Sequence, residues 1–434
     1  MTPESPPQGP IRIGPRGRGQ ARGGRCLPQC PAIGLANPGD ASLAQYARPP
    51  LQWEGIRRYC QGMDTLTHAL LGAGLAQAGF RRRLGREAPY VAAVAAASPD
   101  LDMFFPALKR LLGQPVDMLA VFRYHRGLTH SLLMAPVFAL GLSALWLAGR
   151  VAAARLRARR QTALAPSPGG AAWPSGRAGT GGRAWPWLFL CLLAVLASHD
   201  LLDLCTSYGT QLLAPLSDRR FALDAIGIID LIFTSLVTVT LLATALARAW
   251  APARAALPAR IARTGLAACL AYLLVGWGTG LYLESHFGGP GIRQVRAYPQ
   301  AGAISLWRVT RQYDDGHWEV RRWNMLHPGR GYQVNQADSV DDQGVQAARQ
   351  LPQVQTFCWF ARQQVRVSCH NQDGREVVDF HDMRYGPLPE SSDSLWAMRV
   401  ILGPDGSHQV YQFHYGRGQN RLDMLRRSWN DLWQ

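Results

Sequence analysis

YHRGLTHSLLMAPVFAL, residues 124–140, sets two histidines and an arginine directly before a long apolar run. The apolar residues continue through position 148, which approaches the roughly 20 residues that a helix needs to cross a bilayer. In lipid only a helix can satisfy the backbone polar groups of a single segment, so the run predicts a membrane-spanning helix. His125, Arg126 and His130 would then lie at one end of that helix, where ionisable groups are costly and therefore call for a function.

Five further apolar segments place the chain among membrane proteins. The full set comprises residues 65–80, 88–98, 128–148, 185–205, 225–247 and 264–283. The last four approach spanning length, whereas the first two suit short, shallow or protein-buried helices. The predicted fold class is therefore mainly α, a membrane helical bundle of about four spanning helices plus two short helices, followed by a β-rich C-terminal domain.

The positive charge of the chain follows these apolar segments. Its formal net charge is +17, yet Lys109 is the only lysine, and most arginines outside the N-terminal tail lie beside apolar runs. They gather at 81–86, 149–184 and 248–263. An excess of Arg in short loops is typical of the cytoplasmic face, so the alternate helix ends are expected to face outward. This distribution disfavours nucleic-acid binding, which needs basic residues clustered on one surface.

Composition divides the chain into three parts. Residues 1–62 are rich in Gly, Pro and Arg, which predicts a disordered extension or sequence upstream of a translation start at Met63. Residues 63–286 form the predicted membrane domain, with 149–184 as a flexible Arg-rich linker. Residues 287–434 contain alternating runs punctuated by Asp-Gly pairs, which predicts a β-rich domain on the extracytoplasmic side.

Four short polar clusters interrupt the apolar half, and under this topology all four lie at outward helix ends. They contain the seven residues that we predict as metal ligands: His68, Asp100, Asp102, His125, His130, His199 and Asp203. Histidine and carboxylate are ligands that zinc, manganese and iron accept, and a shared cation would offset the cost of burying them. Because this set exceeds the three or four protein ligands of one zinc ion, we expect one or two divalent ions, zinc or manganese.

Spacing supports convergence within the helical clusters. His199 and Asp203 are four residues apart, so on a helix their side chains share a face. Asp64 and His68 repeat this spacing in reverse order. A single histidine at a helix end is more often simply solvated or hydrogen-bonded, so the prediction depends on the clusters acting together.

The other two clusters are expected to lie between helices. Pro99 should end the preceding helix and leave Asp100 and Asp102 in an extended segment, where alternate residues share a side. An N-cap and turn is the alternative interpretation of these aspartates. Gly127 would allow a bend before a helix that begins near Thr129.

Catalytic roles are predicted for Asp102, His130 and Arg126. Arg126 either holds a phosphate or carboxylate of the substrate or pairs with one of the aspartates. Asp200 should point away from the ligand face, toward a cap or solvent. A Ser/His/Asp triad is disfavoured, because no G-x-S-x-G elbow accompanies the serines beside the histidines.

Residues outside the clusters are expected to have structural roles. Gly276 and Gly280 would allow close helix packing. Two cysteines of the β-rich region, Cys358 and Cys369, would either form a disulfide or remain thiols. Helix-start positions are predicted for Asp224 and Asp230, and surface or turn positions for His370, His381 and Asp382.

The order of the motifs resembles a known family. The segments THALLGAGLA (67–76), SPDLD (98–102), HRGLTHS (125–131) and HDLLDLCTSYGTQLLAP (199–215) are similar to the YdjM-like family of bacterial inner-membrane proteins, described as membrane-bound metal-dependent hydrolases. The similarity covers roughly residues 63–245 and continues more loosely to DFHDMRYG (379–386). It implies a multi-pass protein of the bacterial inner membrane whose metal site is built from the same seven residues.

The function that we predict is hydrolysis of an ester, or of a phosphoester of a lipid or envelope component, by metal-activated water. The expected partners are membrane lipid and such a substrate. A non-catalytic binding or regulatory module, in which the metal only braces the helices, is the main alternative. Transport is less favoured, because the polar residues cluster on one side of the bilayer instead of spreading through it.

Overall fold

The computed structural model describes residues 64–116, 119–163, 181–328, 334–386, 391–413 and 430. The extension predicted for residues 1–62 and the start at Met63 lie outside the described residues, as does the linker between 164 and 180. A helical half is followed by antiparallel sheets, which confirms the predicted fold class.

Helices fill the amino-terminal half. In chain order they are α1 (Asp64–Leu75), α2 (Arg81–Leu84), α3 (Ala88–Ala97), α4 (Phe105–Leu111), α5 (Ala120–Tyr124), α6 (Ala135–Ala163), α7 (Gly181–Leu204), α8 (Leu231–Trp250) and α9 (Leu257–His286). A π-helical stretch, Ala76–Phe80, joins α1 to α2, and 3₁₀-helices occupy Pro99–Phe104 and Leu128–His130.

In the described part of the chain, 5 helical stretches are long and apolar enough to cross a membrane. Four correspond to the spans expected from sequence, namely α6, α7, α8 and α9. The remaining one, Ala88–Leu111, joins α3 and α4 through a 3₁₀-helix. A short helix had been expected at 88–98, but Pro99 lies in the first turn of the next helical segment, where proline is tolerated, so the helical winding continues.

The Arg-rich segment after the third apolar run is more helical than predicted. Helix α6 continues to Ala163, so the predicted flexible linker 149–184 begins as helix. This part of the sequence consists mainly of Ala, Arg and Leu, which have high helix propensity, and the helix therefore extends beyond its apolar portion.

Arginine-bearing helix ends meet at one end of the bundle. Arg248 of α8 donates to Gln77 Oε1 at 2.9 Å, and Arg263 of α9 donates to the backbone oxygen of Ala78 at 3.0 Å. Arg150 of α6 pairs with the carboxylate that precedes α3 at 3.2 Å. The polar clusters therefore share the opposite end.

The carboxyl-terminal part forms two four-stranded antiparallel sheets with the strands in sequential order. They contain β1 (Ile292–Pro299), β2 (Leu306–Tyr313), β3 (Trp318–Asn324) and β4 (Val334–Ala337), then β5 (Val365–Gln372), β6 (Arg375–Asp382), β7 (Ala397–Leu402) and β8 (His408–Phe413). Helices α10 (Gln343–Arg349) and α11 (Pro352–Phe360) connect the sheets. Gly316, Gly374 and Gly406 of the predicted Asp-Gly turns have positive φ and lie between hairpin strands. We call residues 287–434 the C-terminal domain.

The core of the C-terminal domain extends onto the membrane domain. Helix α11 and the second sheet pack with Phe122 and Tyr208 from the bundle, and the Phe122 ring stacks on Phe360 with centroids 4.0 Å apart. Cys358 belongs to this core, and neither it nor Cys369 is disulfide-bonded, so the disulfide alternative does not form.

The glycine pair of α9 packs differently from the prediction. A Cβ at Gly276 would lie 2.0 Å from the backbone oxygen of Ala225, and one at Gly280 would lie 3.4 Å from the Trp307 ring. Gly276 therefore allows a loop to approach α9 closely, and Gly280 allows the C-terminal domain to do so. The sequence had predicted close packing against another helix at these positions.

Candidate metal centre

Four segments that are distant in sequence meet at the end of the bundle opposite the arginines. They are α1, the two 3₁₀-helices with their adjoining loop, and the last turns of α7. All seven predicted ligands come together there, each with at most 9% of its surface exposed: His68, Asp100, Asp102, His125, His130, His199 and Asp203. Burying so many ionisable groups together is costly unless they compensate one another or share a cation.

The two aspartates of the second cluster lie on a 3₁₀-helix, which corrects the predicted extended segment. Leu101, between them, is 62% exposed, whereas Asp100 and Asp102 are buried. The helical turn that begins at Pro99 therefore directs both carboxylates inward and the leucine outward.

One group of candidate ligands comprises His68, His199 and Asp203. Each offers one ligand atom, and these atoms lie within 4.8 Å of one another. His68 Nε2 is 3.2 Å from Asp203 Oδ1, and the two imidazole rings stack with centroids 3.7 Å apart. The i,i+4 spacing on α7 thus places His199 and Asp203 on one face, as predicted.

The tautomer of His199 supports cation binding. Its Nδ1 lies 2.7 Å from the backbone oxygen of Ala96, which can only accept, so Nδ1 must donate. Its buried Nε2 has no hydrogen-bond partner among the described residues. Nε2 lies 3.7 Å from Asp100 Oδ1 and 3.6 Å from Asp203 Oδ2. A nitrogen lone pair facing two carboxylate oxygens is repulsive unless a proton or metal cation lies between them.

A second group comprises Asp100, His125 and His130, again with ligand atoms within 4.8 Å of one another. His130 Nε2 lies 3.3 Å from Asp100 Oδ1 and equally far from Asp203 Oδ2, so this histidine connects the two groups. Burial lowers the pKa of His130, but the carboxylates of Asp102 and Asp100 outweigh burial and hold this pKa well above its ordinary value. The same carboxylates would favour a metal cation at Nε2.

Asp102 contacts two histidines of the cluster through their Nδ1 atoms. Its Oδ1 accepts from His125 Nδ1 at 2.8 Å, and its Oδ2 lies 3.2 Å from His130 Nδ1. Oδ2 also accepts from the backbone N–H of Arg126 at 3.2 Å and from Thr129 Oγ1 at 2.7 Å. This arrangement matches a carboxylate that orients metal-binding histidines, leaving their Nε2 atoms available as ligands.

Two threonines donate to the aspartates, a role that the sequence did not predict for either. Thr65 Oγ1 donates to Asp100 Oδ2 at 2.6 Å, and Thr129 donates to Asp102 as above. Thr129 was expected to start a helix, but it lies in a 3₁₀-turn and α6 begins only at Ala135. Their position, three residues or one residue before a histidine of the cluster, is the sequence signal that could have identified them.

Arg126 pairs with an aspartate, which was one of its two predicted roles. It is 1% exposed, and its Nη2 lies 2.9 Å from Asp203 Oδ1. Its Nη1 donates to Thr206 Oγ1 and to the backbone oxygen of Asp203 at 3.4 Å. Arg126 has a positive φ of 58°, a conformation uncommon for residues other than glycine, which these contacts hold in place. The guanidinium therefore fixes Asp203 against the site.

Asp200 is buried, contrary to the expected cap or solvent position. It is 1% exposed, and neither carboxyl oxygen accepts a hydrogen bond from the described residues. It follows His199 directly, so the chain buries another carboxyl beside the candidate ligands.

The C-terminal domain forms hydrogen bonds to the segment that follows Asp203. Arg384 is fully buried, pairs with Asp382 at 2.7 Å, and donates to the backbone oxygens of Ser207 and Tyr208, each at 3.0 Å. Asp382 and His381 are 0% and 2% exposed, so the predicted surface roles are wrong for both, although His370 is exposed. Arg384 was missed because hydrogen bonds to backbone carbonyls of another segment leave no local pattern in sequence.

Arg220 forms a second link between the site and its surroundings. It is 6% exposed and donates to the backbone oxygens of Phe122 at 3.0 Å, Gly209 at 2.8 Å and His125 at 3.4 Å.

Asp224 accepts a bidentate pair from Arg362 at 2.9 and 3.0 Å, and Asp230 caps α8 by accepting from Phe233 N. The loops that carry the ligands are thus fixed by buried arginines.

The donor set fits a divalent metal ion. Imidazole nitrogens and carboxylate oxygens face one another within two adjacent groups, and buried Nε2 of His199 has no other partner in the described chain. Zinc, manganese and iron all accept such ligands, and two adjacent groups suit one or two ions.

Comparison with known proteins gives one match. No curated protein and no solved structure matches the chain. A family model described as YdjM inner membrane protein matches residues 63–281, about half of the chain, and includes all of the candidate ligands. The chain therefore belongs to the YdjM inner membrane protein family.

Proposed function

We propose that this protein is a membrane-embedded, metal-dependent hydrolase that cleaves an ester or phosphoester of a lipid or envelope component. The observation that carries the proposal is the buried Nε2 of His199, which faces Asp100 and Asp203 oxygens at 3.7 and 3.6 Å with no hydrogen-bond partner among the described residues. A cation at this position would relieve the repulsion and use the ligand types that zinc and manganese accept.

Each residue has a proposed task in such a centre. His68, His199 and Asp203 would hold one ion, and Asp100, His125 and His130 would hold a second or complete the first. A bound divalent metal would polarise the scissile ester or phosphoryl oxygen and lower the pKa of the attacking water.

The remaining polar groups would keep the ligands in position. Asp102 holds the Nδ1 atoms of His125 and His130, which leaves Nε2 of each ring as the ligand atom. Arg126 forms an ion pair with Asp203 and therefore positions this candidate ligand. Arg126 could bind a substrate phosphate only if this ion pair were broken.

Small differences in exposure suggest where a substrate approaches. The side chains of Asp100, Asp102 and His125 are 10%, 6% and 6% exposed, whereas the other predicted ligands are at most 1% exposed. Leu101 and Phe104 on the same 3₁₀-helix are 62% and 47% exposed. An approach beside exposed apolar side chains in a membrane protein favours an amphiphilic substrate.

A non-catalytic metal brace is the second candidate, and burial is the observation that favours it. Structural metal sites are closed, whereas catalytic sites keep a coordination position open to substrate. The low exposure of the ligands suits a closed site, so binding and turnover must be measured separately.

The test uses the full chain purified in detergent, with metal content measured alongside hydrolysis of carboxylic-ester, phosphomonoester and phosphodiester lipids. We expect bound zinc or manganese and turnover of one ester class, both lost in His199→Ala and retained in His370→Ala, a change of an exposed histidine. Metal binding without turnover of any class would support the brace. A metal-free protein, or full turnover by His199→Ala, would refute the proposed enzyme.

We also propose that the C-terminal domain and the candidate metal centre face the extracytoplasmic side. The support is that arginine-bearing helix ends meet at the opposite end of the bundle, as is typical of the cytoplasmic face. A cysteine at exposed His408 should react with a membrane-impermeant maleimide in intact cells, and one at exposed Arg155 should not. The reverse labelling pattern would invert the topology.

A further inference from the structure

A cavity of about 640 Å³ lies away from the candidate metal ligands, between helix α9 and the C-terminal domain. Its walls come from residues 218–224, from the last turns of α9 at Trp277–Glu284, from β1 at 294–297 and from 359–364. The volume falls within the range of about 300–1,000 Å³ that is typical of small-molecule sites. None of the seven candidate ligands lines it.

One edge of the cavity lies on a helix that is long and apolar enough to cross a membrane. Trp277 and Leu281 line it from α9 and are 40% and 51% exposed. They lie one turn apart on a helix long enough to cross a membrane, near its end at the C-terminal domain. Tryptophan is enriched at the boundary between hydrocarbon and headgroups. The cavity therefore opens at headgroup level.

The opposite wall is closely packed and contains a buried ion pair. Gly280 lies 3.4 Å, measured from an ideal Cβ, from the Trp307 ring, so the helix closely approaches the C-terminal domain there. Arg362 forms a bidentate pair with Asp224. Because these contacts connect the loop, α9 and the C-terminal domain, the space between them is a formed site and does not depend on a mobile lid.

Charge on the walls favours a single anion. The ionisable lining residues are Arg219, Arg220, Arg296, Arg362, Asp218, Asp224 and Glu284, so arginines exceed carboxylates by one. Arg362 is neutralised by Asp224, and Arg296 by Glu284 at 3.4 Å. Arg220 is only 6% exposed, donates to the backbone oxygens of Phe122, His125 and Gly209, and keeps an Nε without a partner in the described chain.

We propose that this cavity binds the headgroup of a membrane phospholipid that carries one net negative charge. The phosphodiester lies against Arg219 and Arg220, and the acyl chains leave past Trp277 and Leu281 into the bilayer. Arg219 is exposed and has no carboxylate partner among the described residues, so it is free to contact the phosphate. The proposal goes beyond hydrolysis and does not depend on it, because the site contains no candidate metal ligand.

The position of Arg220 gives this site a link to the metal centre. The same guanidinium donates to the backbone oxygen of His125, which belongs to the second ligand group. Lipid in the cavity therefore contacts a residue that also holds a ligand-bearing loop.

The test measures binding of dihexanoyl phosphatidylglycerol to the full chain in an uncharged detergent by isothermal titration. Arg219→Gln should weaken binding about tenfold, since a hydrogen bond to a charged group is lost. The matched control is Arg293→Gln, which changes an exposed arginine of β1 that does not line the cavity and should leave the affinity unchanged. Equal affinity of the two variants would overturn the proposal.

Two further probes separate lipid from other ligands of similar chemistry. Dihexanoyl phosphatidylcholine has the same chains without net charge, and glycerophosphoglycerol has the same charged phosphodiester without chains. We expect both to bind at least about tenfold more weakly than phosphatidylglycerol. Equal binding of phosphatidylcholine would refute the anion selectivity, and equal binding of glycerophosphoglycerol would show that the site takes a water-soluble phosphodiester and not a lipid.

Discussion

Replacing Asp102 with asparagine should weaken metal binding without removing a metal ligand. The Asp102 carboxylate accepts from His125 Nδ1 through Oδ1, while Oδ2 accepts from Arg126 N and Thr129 Oγ1 and lies 3.2 Å from His130 Nδ1. Asparagine has the same shape, but its NH₂ group takes the place of either Oδ1 or Oδ2 and so faces the partners of that oxygen. In either orientation a donor faces donors, so at least one imidazole loses its orienting acceptor.

The size of the effect follows from this loss. Removing the partner that orients a metal-binding histidine typically lowers metal affinity about 10- to 100-fold, equivalent to about 1.4 to 2.8 kcal/mol. Ion stoichiometry should stay unchanged, because Asp102 belongs to neither group of candidate ligands in the described chain.

The assay is a competition titration of zinc and of manganese against a chelating dye, with bound metal counted by mass spectrometry. Asp373→Asn is the control, since that carboxylate is exposed in a turn of the C-terminal domain and is distant in sequence from the ligands. Wild-type affinity in Asp102→Asn would refute the orienting role. Loss of one whole ion per chain would instead make Asp102 a ligand, as the sequence had predicted.

Three other changes probe the packing around the centre. Gly276→Ala should lower thermal stability by about 1–3 kcal/mol, because its Cβ would meet a backbone oxygen at 2.0 Å, whereas Gly278→Ala, with open space around it, should not. Arg384→Met should cost about 3–5 kcal/mol by leaving a buried carboxylate unpaired, and adding Asp382→Asn should recover part of this loss in the same melting assay. Burial and nearby arginines lower the pKa of His381 to about 3. At pH values between this pKa and that of the unfolded chain, His381 therefore binds a proton only when the chain is unfolded. Stability should therefore fall by about 1.4 kcal/mol per pH unit between roughly pH 6 and 3, and His381→Gln should remove this contribution from acid melting curves.

Sequence predicted the relative positions of the candidate ligands well where local spacing determines geometry. His199 and Asp203 share a helix face because they are four residues apart, and both interrupt a spanning-length apolar run. Charge at the opposite helix ends assigned the clusters to a common end of the bundle, and the contacts of Arg248 and Arg263 agree with this assignment. These features depend on helix periodicity and membrane length, which a single sequence states directly.

Sequence failed where a residue acts through distant backbone. Arg384 donates to carbonyl oxygens 176 and 177 positions away, and no local pattern encodes such a contact. The 3₁₀-helix at Pro99–Phe104 was missed because proline both ends one helix and starts the next. Asp200 was assigned to solvent from helix geometry alone, although neighbouring segments also cover that face of α7.

We propose that a bound cation belongs to the folded state, because the charge balance of the site favours one. Asp100, Asp102 and Asp203 place three carboxylates in one buried cluster, whereas Arg126 is the one arginine that pairs with any of them among the described residues. A buried ionic cluster contributes little to folding stability, since packed apolar side chains in its place usually stabilise the fold at least as much. Its ligands also come from segments as far apart as positions 68 and 203, so they meet only when the bundle is assembled. Metal binding and folding of this end of the bundle should therefore be coupled. Removing the metal with a chelator should weaken the contacts between the C-terminal domain and the segment after Asp203.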